Sequence, residues 1–394
     1  MGTLPALDIT VNANYSPHVV ILGAGASVAA CPRGDAYGFR VPVMANLALV
    51  LGLEPLLQKA GLARRGSGNF ELIYDALASS DAYHDLRLEV ETRVQEYFAR
   101  LQLPGDVTVY DQLLLSLRRK DLIATFNWDP FLLQAYARNR GIKRLPRVVC
   151  LHGNVYLGYC PEHRVKGYST QNCNTCGKPL QPSPLLFPIT KTEYRSHPLL
   201  SGEWDELAKT LEHAYLLTIF GYAAPASDVA AREILLKAWD ANGTRELAEV
   251  EVIDILPERL LHKRWKDFTV RHHWGALTRF SHTLQSRYPR RSCEAFAFAT
   301  LQQNPWATRR IPRFRRLDRL HDWIRPLVDE EQALENGNTP LRPFRRQAKN
   351  AMNPASPVVL SWAGQERFYP GHPRQELGAQ TRPGGVIYGR KPGT

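Results

Sequence analysis

Three polar side chains follow directly on apolar runs, and their types suit chemistry at a sugar carbon. The run DLIATF at 121–126 leads into Asn127 and Asp129 within TFNWD, and RVVCL at 147–151 leads into His152-Gly153. A neutral imidazole can take a proton from a hydroxyl near pH 7. An asparagine can orient a water or a ribose. Together they suit attack at an activated C1′. A lone histidine at a strand end is more often structural. Two polar strand ends joined by a short helical link argue instead for one shared pocket.

A glycine loop opens the chain's first regular stretch. HVVIL at 18–22 breaks straight into Gly23-Ala24-Gly25-Ala26-Ser27. Glycines there allow a tight turn and close approach of backbone to a phosphate, and the next helix start offers N–H groups. Ser27 could add a hydroxyl donor. The third glycine of a full dinucleotide fingerprint is absent, so a plain strand-to-helix turn fits this loop alone equally well.

A third constellation holds metal-ligand chemistry. Six cysteines are present, Cys31, Cys150, Cys160, Cys173, Cys176 and Cys293, and three of them cluster. Cys160-x2-His163 and Cys173-x2-Cys176 read as the two knuckles of a zinc ribbon. Four protein ligands leave no open position, so the expected zinc is structural. The competing reading is free cysteines beside an incidental histidine.

These residues need elements to hold them. The runs 18–22, 121–126, 147–151, 215–220 and 250–256 are nearly continuous in apolar residues. That is the pattern of strands buried on both faces of a parallel sheet. Stretches at 203–213 and 227–241 read as helices between them. Residues 44–119 read as a helical insertion, with Leu86, Val90, Val94, Tyr97 and Phe98 at helical spacing. The expected fold class is α/β, a doubly wound parallel Rossmann-type sheet with that insertion, a small zinc ribbon at 154–182, and a basic C-terminal extension. Ligands bind such sheets outside the carboxyl ends of the strands. Gly23–Ser27, Asn127, His152 and Gly221 should therefore share one crevice.

The ordered set resembles the sirtuin superfamily over roughly residues 17–275. GAGAS is similar to that family's phosphate loop, and TFNWD to its Thr-Gln-Asn-Ile-Asp motif. His152 matches its catalytic histidine, and a zinc ribbon follows in both. Gly221, within IFGYAAPAS at 219–227, falls where the family has a Gly-Thr-Ser motif, and Asp254 falls near its ribose-contacting asparagine. The resemblance implies NAD as substrate and a catalytic domain over 1–300. It implies catalytic roles for Asn127, Asp129 and His152. It implies NAD contacts from Gly23, Ala24, Gly25, Ser27, Phe39, Arg40, Thr125, Gly221, Tyr222, Ser227 and Asp254.

The departures bear on the reaction. Deacylases of the family follow the ribbon with Phe-Gly-Glu, where acyl-lysine peptide pairs; here PLLFPITKTEY stands at 184–194. GYAAPASD and TFNWD resemble the branch of bacterial sirtuin-like NADases that act in anti-phage defence. The expected activity is NAD glycohydrolysis to nicotinamide and ADP-ribose. Protein deacylation, ADP-ribosyl transfer and a non-catalytic NAD- or ADP-ribose-sensing module are the alternatives.

Composition sets the remaining bounds. The chain has 394 residues, 44% hydrophobic and 22% charged, with a net charge of +12. That composition is globular. No apolar run approaches the ~20 residues that span a bilayer. No secretory signal opens the chain, so a cytoplasmic location is expected. After about residue 300 the pattern degrades, and 301–394 reads as a basic extension. Its arginines interleave with Phe314, Trp323, Phe344, Trp362, Phe368 and Tyr369. Arginine and aromatic residues anchor interfaces. The extension is therefore expected to be an assembly arm for a homo-oligomer, with a translocase-type (HerA-like) ATPase as the partner the resemblance suggests. Nucleic acid is the less favoured partner.

Overall fold

The computed structural model describes residues 16–62, 68–188, 194, 197–224, 228–269 and 273–336. Six parallel strands form the main sheet: β1 (His18–Leu22), β2 (Leu122–Thr125), β3 (Arg147–Cys150), then β7 (Leu216–Phe220), β8 (Glu249–Ile253) and β9 (Trp274–Leu277). Their spatial order is β3-β2-β1-β7-β8-β9. The chain leaves β1 toward β2 and later returns to its other side at β7. The sheet therefore has its switch point between β1 and β7, where a ligand crevice is expected. Strands β4 (Leu157–Cys160), β5 (Val165–Tyr168) and β6 (Gln181–Pro182) form a separate antiparallel sheet in the order β5-β4-β6. The doubly wound sheet and its small ribbon are thus the architecture the sequence implies.

Helices cover both faces. Between β1 and β2 run α1 (Ala24–Ala30), α2 (Leu47–Val50), α3 (Glu54–Lys59), α4 (Phe70–Ala78), α5 (His84–Ala99) and α6 (Val109–Ser116). The insertion buries Phe70, Ile73, Val90 and Val94 in one core with Val20, Leu22 and Ile123 of the sheet. The other face of the sheet carries α8 (Pro198–Leu211), α9 (Val229–Asp240) and α10 (Glu258–Trp265). There Trp204, Leu207, Trp239 and Trp265 pack on Val19, Ile21 and Leu217. Alternate residues of β1 thus feed opposite cores, which explains its unbroken apolar run. Helix α7 (Phe131–Asn139) links β2 to β3.

The loss of pattern expected after residue 300 does not hold as far as residue 336. After α11 (Leu284–Arg287) and α12 (Ser292–Thr300), residues 317–335 form α13 (Leu317–Glu335). It buries Leu320, Ile324, Leu327 and Val328 against Leu115, Ile142 and Leu145. Those apolar positions recur at helical spacing, so the signal is in the sequence despite Pro326 inside the helix. Phe314 and Trp323, expected among the aromatic anchors of an assembly arm, pack on this same cluster. Phe344, Trp362, Phe368 and Tyr369 lie outside the described residues. No described helix is long and apolar enough to cross a membrane.

Candidate active site

The glycine loop meets its neighbour backbone to backbone. Gly25 N–H donates to Gly221 O at 3.0 Å, and Gly23 N–H to Phe220 O at 3.0 Å. A Cβ on Gly23 would lie 2.5 Å from Tyr222 Cα, and one on Gly221 2.4 Å from Ala26 N. Gly221 also takes a φ of +61°, which favours glycine. These glycines first let β1 and β7 turn past each other at the switch point. Gly221 N–H in turn donates to Ile253 O at 2.9 Å, which sets Asp254 beside the loop at the end of β8. Asp254 accepts from Leu256 N–H at 3.0 Å.

Asn127 closes onto that loop. Its Nδ2 donates to Gly23 O at 2.9 Å, to Ser27 Oγ at 3.0 Å and to Tyr110 Oη at 3.3 Å. Its backbone N–H donates to Thr125 Oγ1 at 3.0 Å. Ser27 Oγ donates to Asp129 Oδ2 at 2.6 Å and lies 2.7 Å from Tyr110 Oη. Asn154 donates to the carbonyls of Asn127 and Asp129 at 3.1 and 2.6 Å, so the whole turn after β2 is fixed. Tyr110 enters from α6, whose start is a Thr108–Asp111 capping box. Asp111 also accepts from Arg138 and Asn139 of α7, which locks that helix in place. Burial pushes the Asp129 carboxyl up to about 6, against the opposing pull of Ser27 and Phe131 N–H. Burial likewise raises the Tyr110 phenol well above its ordinary range.

His152 belongs to a second cluster. Its ring meets Phe126 edge-on at 4.8 Å, and Phe126 stacks on Tyr222 at 4.1 Å. His152 Nε2 lies 3.2 Å from Tyr194 Oη and 3.8 Å from Asp228 Oδ2. Tyr194 donates its one hydroxyl proton to Asp228 Oδ1. Its oxygen is then left to accept from His152, which selects the Nε2–H tautomer and leaves Nδ1 as the basic nitrogen. Tyr222 Oη donates to Asp228 Oδ2 at 3.2 Å, and Asp228 caps α9 through Ala231 N–H at 3.3 Å. Burial pulls the His152 imidazole down to about 4, with Asp228 opposing. The ring is therefore neutral at physiological pH. Gly153 follows with a φ of +74°, and a Cβ there would strike Pro184 O at 1.8 Å. Leu186 N–H donates to His152 O at 2.9 Å, so the segment after the ribbon is tied to the histidine's own backbone.

The structure thus brings together Gly23, Gly25, Ser27, Thr125, Asn127 and Asp129. It sets Gly221, Tyr222 and His152 beside them. Ala24 is the first residue of α1. Ser227 lies outside the described residues. The structure gives Phe39 and Arg40 contacts of their own: Arg100 covers the Phe39 ring at 4.4 Å, and Tyr97 Oη donates to Arg40 O at 2.7 Å. Tyr110 and Tyr194 have no motif of their own. Asp228 ends the GYAAPASD segment, and its place just before a helical stretch, as an N-cap, is the one signal in the sequence that points to it.

The ribbon gathers its four predicted ligands. The ligand atoms of Cys160, His163, Cys173 and Cys176 lie within 4.8 Å of one another, a cage of the size and chemistry for one tetrahedral zinc. Metal analysis of purified protein should find about one zinc per chain; a folded, zinc-free protein would overturn this assignment. A cavity of about 1060 Å³ lies apart from the crevice, between β3, the ribbon and α8. There Lys166 and Glu203 pair at 2.7 Å, and Glu203 accepts from Cys150 N–H at 2.8 Å. Lys166 donates to Val148 O at 3.0 Å, so the outer edge of β3 is closed by side chains.

No family profile and no curated protein matches this sequence. Solved structures do show likeness. One is a Sir2 homologue in complex with NAD, at 14% identity over 83% of this chain and 96% of that one, with a TM-score of 0.33. A second concerns the mechanism and regulation of Sir2 enzymes, at 15% identity over 83% and 97%, with a TM-score of 0.35. A third is an S24A mutant of a Sir2 homologue with ADP-ribose, at 16% identity over 63% and 84%, with a TM-score of 0.30. Likeness this distant carries no argument about chemistry, which rests on the side chains above.

Proposed function

We propose that the crevice at the switch point binds NAD and cleaves its nicotinamide–ribose bond, with water as acceptor. The supporting observation is the pairing of two clusters at adjacent strand ends. Asn127 is fixed on the glycine loop, and a neutral His152 has its Nδ1 left basic. Orientation of the ribose and stabilisation of developing positive charge supply such catalysis. The C1′–N bond breaks and its electron pair leaves with nicotinamide. Asn127 holds the reacting ribose, and Asp129 faces the departing carboxamide. A water oxygen then bonds to C1′ and gives its proton to His152 Nδ1. The products are nicotinamide and ADP-ribose.

Packing after the ribbon favours water over acyl-lysine. Phe187 stacks on Tyr74 of the insertion at 4.8 Å and meets Trp128 at 4.9 Å. Phe187, within the segment that would accept a peptide strand, is thus committed to the protein's own core. The reading extends to a role as an NAD-depleting effector of anti-phage defence, cytoplasmic, with a homo-oligomer or a translocase-type ATPase as restraint. That extension follows from the sequence resemblance and from the basic extension read at 301–394. The test is turnover of NAD with and without acetylated peptide. Equal release of nicotinamide in both supports hydrolysis. Release that requires peptide, or NAD that persists in every assembly state, sinks it.

A further inference from the structure

Away from the crevice, residues 283–294 are polar yet buried against the sheet. Leu284 N–H donates to Glu251 of β8 at 2.9 Å, and Ser292 Oγ lies 2.9 Å from His18 Nδ1 of β1. Most charges here are closed. Arg290 pairs with Glu331 at 2.5 Å, and Glu294 with Lys120 at 3.3 Å and with Arg118. Arg287 is the exception. It is 6% exposed, yet its guanidinium forms no ion pair or hydrogen bond with a described residue, and its Nε is fully shielded. A buried charge with an incomplete set of partners is costly.

A second arginine is held against it. Arg309 N–H donates to Arg287 O at 2.9 Å, and Ile311 N–H to Ser286 O at 3.1 Å. These bonds fix Arg310 between them. The two like charges act on each other and on the hydroxyl of Tyr288. The carboxylate facing Arg287 is Glu251, whose oxygens already accept from Leu284 N–H and from Thr218 Oγ1 at 3.3 Å. Burial pushes Glu251 up to about 7, so it supplies only part of a countercharge. The buried guanidinium of Arg287, without a full countercharge, and the exposed one of Arg310 on the adjoining segment together match the oxygens of a phosphate. Arg313 and Arg319, both exposed, follow within ten residues of Arg310 in the sequence and add positive charge to this stretch, which favours an anion of several linked phosphates over a single one.

We propose that Arg287 and Arg310 form a binding site for a small polyphosphate anion, separate from the Asn127–His152 crevice. The site stands on its own residues and does not depend on the NAD reading. The test is thermal unfolding of the full chain with inorganic tripolyphosphate, inorganic phosphate or a short oligonucleotide. Tripolyphosphate should raise Tm more than phosphate does, and equally in Asn127→Ala. Arg287→Met should remove that rise. It should also raise the Tm of the ligand-free protein, since it deletes a poorly compensated buried charge. A merely structural arginine would lower Tm on removal. Arg310→Gln should weaken tripolyphosphate binding about tenfold. If Arg287→Met does not fold, Arg310→Gln carries the test. No rise in the unmodified protein, a rise kept in both variants, or a response to the oligonucleotide alone would overturn the proposal.

Discussion

Asn127 and His152 end neighbouring strands, yet the protein treats them in opposite ways. Asn127 commits its amide donors to Gly23, Ser27 and Tyr110, within a network of direct hydrogen bonds. His152 touches mostly rings, and among the described residues one nitrogen alone is tied, through Tyr194 to Asp228. The first arrangement suits a group that must not move, because every bond fixes its geometry. The second suits a group that must move a proton, because one nitrogen stays free. Under the proposed function the crevice divides into a positioning half and a proton-handling half.

The largest effect should come from the positioning half. Asn127→Ala removes the proposed ribose contact and the ties to Gly23 and Ser27. NAD cleavage should fall by about 10³-fold, and stability by about 1–3 kcal/mol, read by product assay and denaturant unfolding. His152→Ala should lower kcat by about 10²-fold with little loss of stability, since it leaves no buried partner charged and unpaired. A variant that loses stability instead would mean that His152 is a structural residue.

Tyr194→Phe probes the tie alone. The ring that stacks on His152 at 5.6 Å remains and only the hydroxyl goes. We expect about a tenfold fall in kcat, an unchanged KM, and a mixed tautomer by nitrogen NMR of His152. A pure Nε2–H tautomer in the variant would show that Tyr194 does not set it.

The smallest effect separates the halves by pH. Asp129 is raised to about 6 by burial, above its ordinary 3.8. The folded state therefore holds that proton more tightly than the unfolded one. The stability it contributes is present below about pH 4 and is lost as pH rises through about 6. Asp129→Asn should unfold at a higher temperature than the unmodified protein near pH 8, and at the same temperature near pH 4. His152, lowered to about 4, adds no acid limb to activity above about pH 5. A limb near pH 6 should therefore vanish in Asp129→Asn; if it persists, another group controls it.

How far the sequence foretold this differs between the two halves. Strands β1, β2, β3, β7 and β8 were legible because burial on both faces leaves nearly unbroken apolar runs. The metal cage was legible because two close ligand pairs leave few other readings. Asn127, Asp129 and His152 were visible as polar residues where apolar runs stop. Their partners were not. Tyr110 lies 17 residues before Asn127, and only the packing of α6 on α7 brings it in. Tyr194 reaches His152 across 42 residues. The glycines were read as room for phosphate, whereas the backbone contact of Gly25 with Gly221 already requires them. Edge strand β9 escaped notice because Trp274–Leu277 is short and only half buried.

One measurement bears most directly on the central claim: product analysis of NAD incubated with purified protein, beside Asn127→Ala. The account predicts nicotinamide and ADP-ribose in equal amounts without any peptide, and both products at about a 10³-fold lower rate from the variant. Intact NAD from the unmodified protein, or equal cleavage by Asn127→Ala, would contradict it.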